Sequence, residues 1–212
     1  MLFSRSVRSI HAEKIVAMSF ALLALLVLPS CWVFSIHSLF DGASDPDLVF
    51  DQKLIGSWAH LAEECEWILT MEASARAYDM KIAPGEGCTK EKKNSDRYWG
   101  YLVKLDNNRF LDVAPGPDQS RACILCLPVH SFALLSLENN NNTLVTTPLD
   151  LEWLDQSIKN KKVVLDHLGG GDNDDIDITV TAQPAALKDL LRRCVNDKAA
   201  FKPSLSLAFT KK

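Results

Sequence analysis

Cys123-Ile124-Leu125-Cys126 has the spacing of a redox pair, and His130 follows four residues later. A reactive pair of this kind sits at a helix N-terminus, where the dipole lowers the thiol pKa. Here it lies in a long apolar run, residues 122–137, whose alternation reads as strand. A structural disulfide between Cys123 and Cys126, or two buried thiols, is therefore favoured over redox catalysis. Zinc needs four ligands, usually two such pairs, and the chain has no second CxxC. His130 is the sharpest candidate for the base of a Cys–His or Ser–His hydrolase, with its nucleophile supplied from elsewhere. No nucleophile elbow or local Cys signature accompanies it, and a His among apolar strand neighbours is more often structural.

Other candidates also have plainer readings. Gly169-Gly170-Gly171-Asp172-Asn173-Asp174-Asp175 gathers carboxylates that a Ca²⁺ ion would suit. An EF-hand loop, however, wants Gly at its sixth position and Glu at its twelfth, so a solvated turn is the better reading. The carboxylates of Asp106 and Asp112 flank a hairpin, which explains them. Asn141-Asn142-Thr143 is a glycosylation sequon, meaningful only in a host that glycosylates exported proteins. No residue is assigned to catalysis or to a metal, and no cofactor is expected.

The elements that position these residues are mostly strands. Trp67, Leu69 and Met71 alternate with Ile68, Thr70 and Glu72, and Tyr78, Met80 and Ile82 alternate with Asp79 and Lys81. Trp99, Tyr101, Val103 and Leu105 share one face of a strand, with Gly100, Leu102 and Lys104 on the other. Ile176, Ile178 and Val180, then Leu205, Leu207 and Phe209, repeat the pattern. Period two marks strands with one buried face. Asp106-Asn107-Asn108 and Asn139 to Asn142 suit hairpin turns, because Asn tolerates the left-handed backbone. The pattern predicts an antiparallel β meander of eight to ten strands, mainly β (α+β), forming a barrel or curved sheet. Two helices interrupt it. One opens at Pro148-Leu149-Asp150 and carries Leu151, Leu154 and Ile158 on one stripe. The other starts at Pro184, which suits a first helical turn, and carries Leu187, Leu190, Leu191 and Cys194. It is expected on the outside of the sheet or across one end.

Ahead of this domain lies an apolar segment. No Asp, Glu, Lys or Arg occurs between Lys14 and Asp41, and residues 15–28 read IVAMSFALLALLVL. Arg5, Arg8 and Lys14 precede it, so the basic flank, residues 1–14, is expected to stay in the cytoplasm and the rest to cross the membrane. Three endings compete. An uncleaved helix over residues 15–36 is long enough for a hydrocarbon core, which takes about 20 residues. Leu28-Pro29-Ser30-Cys31 resembles a bacterial lipobox, which makes Cys31 a candidate lipidation site. An ordinary cleaved signal peptide lacks a small-x-small site here. The uncleaved anchor is preferred, followed by a linker over residues 37–48 and an extracytoplasmic domain over 49–212.

Charge and cysteines set further bounds. Residues 1–40 carry Arg5, Arg8 and Lys14 against Glu13, a net +2, so the whole-chain −4 leaves −6 for residues 41–212. That balance gives no footprint for nucleic acid. With Cys31 set apart, Cys65, Cys88, Cys123, Cys126 and Cys194 are an odd number. An oxidising compartment then allows at most two disulfides and leaves one free thiol.

Phe50-Asp51-Gln52-Lys53-Leu54-Ile55-Gly56-Ser57-Trp58 resembles the opening of lipocalin-like domains. There, Gly-x-Trp begins the first strand and the Trp closes one end of a barrel. The resemblance implies a basic residue packed over Trp58, which the sequence does not place. More broadly, residues 49–209 resemble exported bacterial β-rich domains of unknown function, which implies architecture only. The functional expectation is a binding or interaction module of the cell envelope. Its partner would be a small apolar ligand or an envelope protein, with the membrane met through the N-terminal segment. Trp58, Trp67, Trp99, Tyr101 and Phe110 are the candidate lining. The alternatives are the hydrolase on His130 and a thiol–disulfide protein on Cys123 and Cys126.

Overall fold

The computed structural model describes residues 33–62, 65–85, 88, 95–116, 129–169 and 178–212. Cys31, Cys123, Cys126, the carboxylates of the 169–175 loop and the apolar segment as far as residue 32 lie outside them. Among the described residues no helix is long and apolar enough to cross a membrane.

Two short strands, β1 (Phe34–Ser35) and β2 (Leu48–Val49), precede the meander. The meander runs through β3 (Gly56–Ala62), β4 (Cys65–Ser74), β5 (Ala77–Pro84), β6 (Asp96–Leu105), β7 (Asn108–Pro115), β8 (His130–Glu138) and β9 (Thr143–Pro148). Each pairs antiparallel with the next. After α1 (Leu151–Lys159), β10 (His167–Gly169), β11 (Ile178–Val180) and α2 (Pro184–Cys194), the last strand, β12 (Leu207–Lys211), inserts between β9 and β3. That insertion closes an antiparallel ring of eight strands. The turns follow their residues: Asp106 (φ 55°) reverses β6 into β7, and Asn139, Asn140 and Asn141 (φ 49°, 57° and 67°) reverse β8 into β9.

Alternation sorts the side chains into two cores. Leu69, Met71, Tyr78, Met80, Leu102, Leu111, Leu135, Leu144 and Phe209 point into the barrel. Val103, Leu105, Phe110 and Phe132 point outward and are covered by α1, α2 and the β1–β11 extension. Strands β6 to β8 thus bury both faces, where the alternation alone suggests one. Both helices keep the expected stripes, and both sit on the outside of the barrel: Leu151 and Leu154, then Leu187, Leu190, Leu191 and Cys194, are buried in the outer core. Asp150 caps α1 by accepting the Trp153 N–H at 2.6 Å.

Val33, the first described residue, is already buried in the outer core, and the described fold includes the stretch read from sequence as a linker. Leu39 and Leu48 are fully or nearly fully buried there. Lys188 of α2 fastens this stretch, donating to Asp45 at 2.8 and 2.9 Å and to Asp47 at 2.7 Å. Burial alone raises the Asp45 pKa, but Lys188 and the backbone N–H groups of Asp41 and Asp47 outweigh it and hold the carboxyl below its usual range. Burial likewise lowers the Lys188 pKa, and the two carboxylates reverse it to a net rise.

Candidate functional site: the open half of the barrel

One end of the barrel is sealed. The three-residue 3-10 turn Gln52–Leu54, capped by Asp51, drops Leu54 onto Trp58, whose indole N–H donates to the Leu54 carbonyl at 2.9 Å. Tyr78 ties the turn down: its hydroxyl accepts from the Asp51 N–H at 2.8 Å and donates to the Asp51 carbonyl at 3.2 Å. Burial, with lesser effects from Asp51 and Arg109, pushes the Tyr78 phenol up to about 12. Gly56 holds φ +130°, a backbone that a side chain would strain. The basic residue over Trp58 that the sequence left unplaced is Lys211, with Nζ 5.1 Å from the ring centroid.

Among the described residues the other end is open. Above the floor lies a cavity of about 330 Å³, lined by Leu69, Met80, Ile82, Leu111, Val113 and Phe209 together with Phe34, Tyr98, Ser131, Thr146 and Leu207 among others. None of its described lining residues is charged. Gly100 belongs to the same wall: a Cβ there would lie 2.3 Å from Met80 Sδ, so the missing side chain is the space the thioether occupies. Eight strands leave an interior that is either filled by side chains or wide enough for one small ligand. Here the described side chains fill the lower half and leave the upper half unfilled. The Cys65–Cys88 disulfide lies at this open end and joins the start of β4 to the segment after β5.

The five aromatics expected in a lining do not converge. Trp58 forms the floor, and Trp67 shares the inward face of β4 with Leu69. Trp99 and Tyr101 instead face outward, where they line a surface groove with Phe40 and Arg76. Phe110 is buried in the outer core against Phe201, with ring centroids 6.0 Å apart.

His130 also faces outward. Its Nδ1 is 2.6 Å from Oδ1 of Asp112, whose side chain is wholly buried and whose Oδ2 accepts the Leu39 N–H at 2.7 Å. Burial pushes the Asp112 carboxyl up, against the pull of His130 and that N–H. The neighbouring hydroxyls are engaged elsewhere: Ser35 Oγ accepts from the His37 N–H, and Ser131 Oγ donates to the Val33 carbonyl. Among the described residues no Ser or Cys hydrogen-bonds His130, and the pair fastens the 33–39 segment to the barrel wall. Cys194 is a free, buried thiol, pushed up to about 12 by burial.

No family model, curated protein or solved structure gives a significant match to this chain.

Proposed function

We propose that the chain is a membrane-tethered, extracytoplasmic binding module that holds one small, uncharged apolar molecule in the open half of its barrel. The observation that carries this reading is the cavity of about 330 Å³ with an apolar, uncharged described lining. Its size lies at the lower end of the range for small-molecule sites, roughly 300–1,000 Å³. A buried charge without a partner is costly, so such a lining selects neutral, apolar matter. The apolar run over residues 15–28 and its basic flank support the tether and the direction of export. The lipocalin-like opening at Gly56 and Trp58 is consistent with a ligand-holding barrel. The hydrolase alternative gains no support, because the His130–Asp112 pair faces away from the cavity.

The test is binding of the neutral dye N-phenyl-1-naphthylamine, read as fluorescence enhancement. The wild type is expected to bind it saturably with one site. Val113→Trp, which puts an indole into the cavity, is expected to abolish binding while keeping the wild-type circular dichroism and melting temperature within a few degrees. Unchanged binding in that variant would defeat the reading.

A further inference from the structure

Among the described residues the cavity opens sideways as well as upward. Along one edge of β8, residues 133–138 pair with β9, but Ser131 and His130 pair with Phe34 and Ser35 of β1. The edge changes partner where β9 ends at Pro148 and the chain departs into α1. Among the described residues no ladder joins β1 to β9 or β12. The wall is therefore unzipped near the mouth, between Phe34 on one side and Leu207 on the other. Both side chains line the cavity, and both reach the surface, at 38% and 36% exposure. The same face continues outward through Thr179, opposite Phe34, to Leu168, which is 65% exposed.

Single exposed apolar residues need no explanation. Phe34 and Leu207 border an apolar cavity, Leu168 continues their face outward, and the sequence says what lies near them. The apolar run ends at Leu28, and Phe34 follows six residues later. An extended chain spans at most about 3.3–3.6 Å per residue, so Phe34 stays within about 20 Å of the end of that run. If the run is held in a bilayer, Phe34 at one lip of the slit stays within about 20 Å of where the run ends.

We propose that the slit faces the bilayer and admits a single acyl chain sideways from a membrane lipid, leaving the head group outside. This rests on the binding reading above and adds the ligand class and its source. A volume at the low end of the range suits one chain rather than two. Sideways entry spares the chain the unfavourable exposure of each methylene to water. The uncharged lining offers nothing to a head group, which the open side leaves in solvent.

The test uses the full chain reconstituted in phosphatidylcholine vesicles containing lysophosphatidylcholine with a diazirine at the end of its acyl chain. The same lipid is supplied separately as dispersed monomer. After irradiation, peptide mapping reads labelling of the interior residues Leu69, Met80 and Leu111. Wild type is expected to be labelled there from the vesicles. Leu168→Asp and the milder Leu168→Gln, outside the cavity lining, put polar groups on the exposed approach to the slit. They are expected to slow vesicle-derived labelling by at least about tenfold, a change of roughly 1.4 kcal/mol in barrier, while labelling by dispersed monomer changes by less than about threefold. Leu168 variants labelled from vesicles at the wild-type rate would overturn the sideways route and leave the binding reading standing. Interior labelling by dispersed lipid but none from vesicles would overturn it as well. Failure of both lipid sources with the neutral dye still bound would overturn the acyl chain as ligand. Loss of lipid and dye together would overturn the binding reading itself.

Discussion

Lys211 lies with its ammonium 5.1 Å above the ring of Trp58, joining the last strand of the barrel to the first. The same lysine donates to the Lys53 carbonyl at 3.4 Å, so it also holds the turn that seals the floor. A solvent-exposed ammonium over a ring face is worth about 0.5–1 kcal/mol, whereas the fully buried indole carries much more. Lys211→Ala is expected to lower unfolding stability in urea by about 1 kcal/mol. Trp58→Ala is expected to cost about 3–5 kcal/mol. Equal losses in the two variants would mean that the cation, not the packing, holds the floor.

Lys188 and its two carboxylates give the fold a defined pH signature. The Asp45 pKa is held below its ordinary 3.8, so its contribution is present above that value and fades as pH falls through the lower, folded one. The Lys188 pKa is raised above 10.5, so its contribution is complete below 10.5 and fades as pH rises through the folded value. Lys188→Met leaves Asp45 buried without its partner and is expected to cost about 3–5 kcal/mol at neutral pH. Without Lys188, burial holds the carboxyl above its ordinary 3.8, so denaturation at a series of pH values should show the gap to wild type narrowing as pH falls toward 3.8 and the stranded carboxyl takes a proton. A gap independent of pH would show that packing of the lysine stem is what matters.

The Cys65–Cys88 bond closes a loop across a sequence separation of 23. Cys88→Ser, or reduction of the wild type, is expected to lower stability by about 2–4 kcal/mol. Calorimetry with and without dithiothreitol checks this, and reduction should not further affect the variant.

Cys194 is buried between α2 and the barrel, and burial pushes its thiol up to about 12. Only the thiolate reacts readily. Iodoacetamide at mildly alkaline pH should therefore leave Cys194 unmodified until denaturant is added, as mapped on the peptide that contains it.

Gly100 links packing to binding. A methyl there would meet Met80 Sδ at 2.3 Å and Leu111 Cδ1 at 3.4 Å. The flexible thioether is the group that yields, and it yields into the cavity. Gly100→Ala is expected to weaken dye binding several-fold with a stability cost of about 1–3 kcal/mol from overpacking. Titration of the dye against both proteins measures it.

Much of the meander was legible because period-two alternation survives in β4, β5, β6 and β12, and because Asp106 and Asn139 to Asn141 mark their turns. Both helices were legible from their stripes. The facing of residues was not. Alternation tells two faces apart but not which is inside, and β6 and β7 carry apolar groups on both. Hence Trp99, Tyr101 and Phe110, read as lining, stand on the outward face, while the inward face is marked by Gly100 and Leu111. The one sequence signal for this was Gly100, a small residue in an aromatic strand, which means close approach from its own side. Lys211 over Trp58 was out of reach because the two meet only once the ring is closed. The Cys65–Cys88 pairing was out of reach because a count of cysteines does not choose partners. Leu39-Phe40 and Leu48-Val49-Phe50, short apolar clusters on either side of a polar stretch, were the hint that residues 33–49 belong to the fold.

The ring has one seam that only the final strand can fill. β3 is formed early along the chain, yet its second neighbour, β12, comes after two helices and the eight strands β4 to β11. Until β12 emerges, β3 and β9 are bare edges, the kind of template that recruits foreign strands. The closing contact is among the most distant in sequence, and non-local pairing of this sort slows folding. A chain delivered N-terminus first would thus pass through an open-sheet stage whose lifetime is set by how fast its last residues arrive.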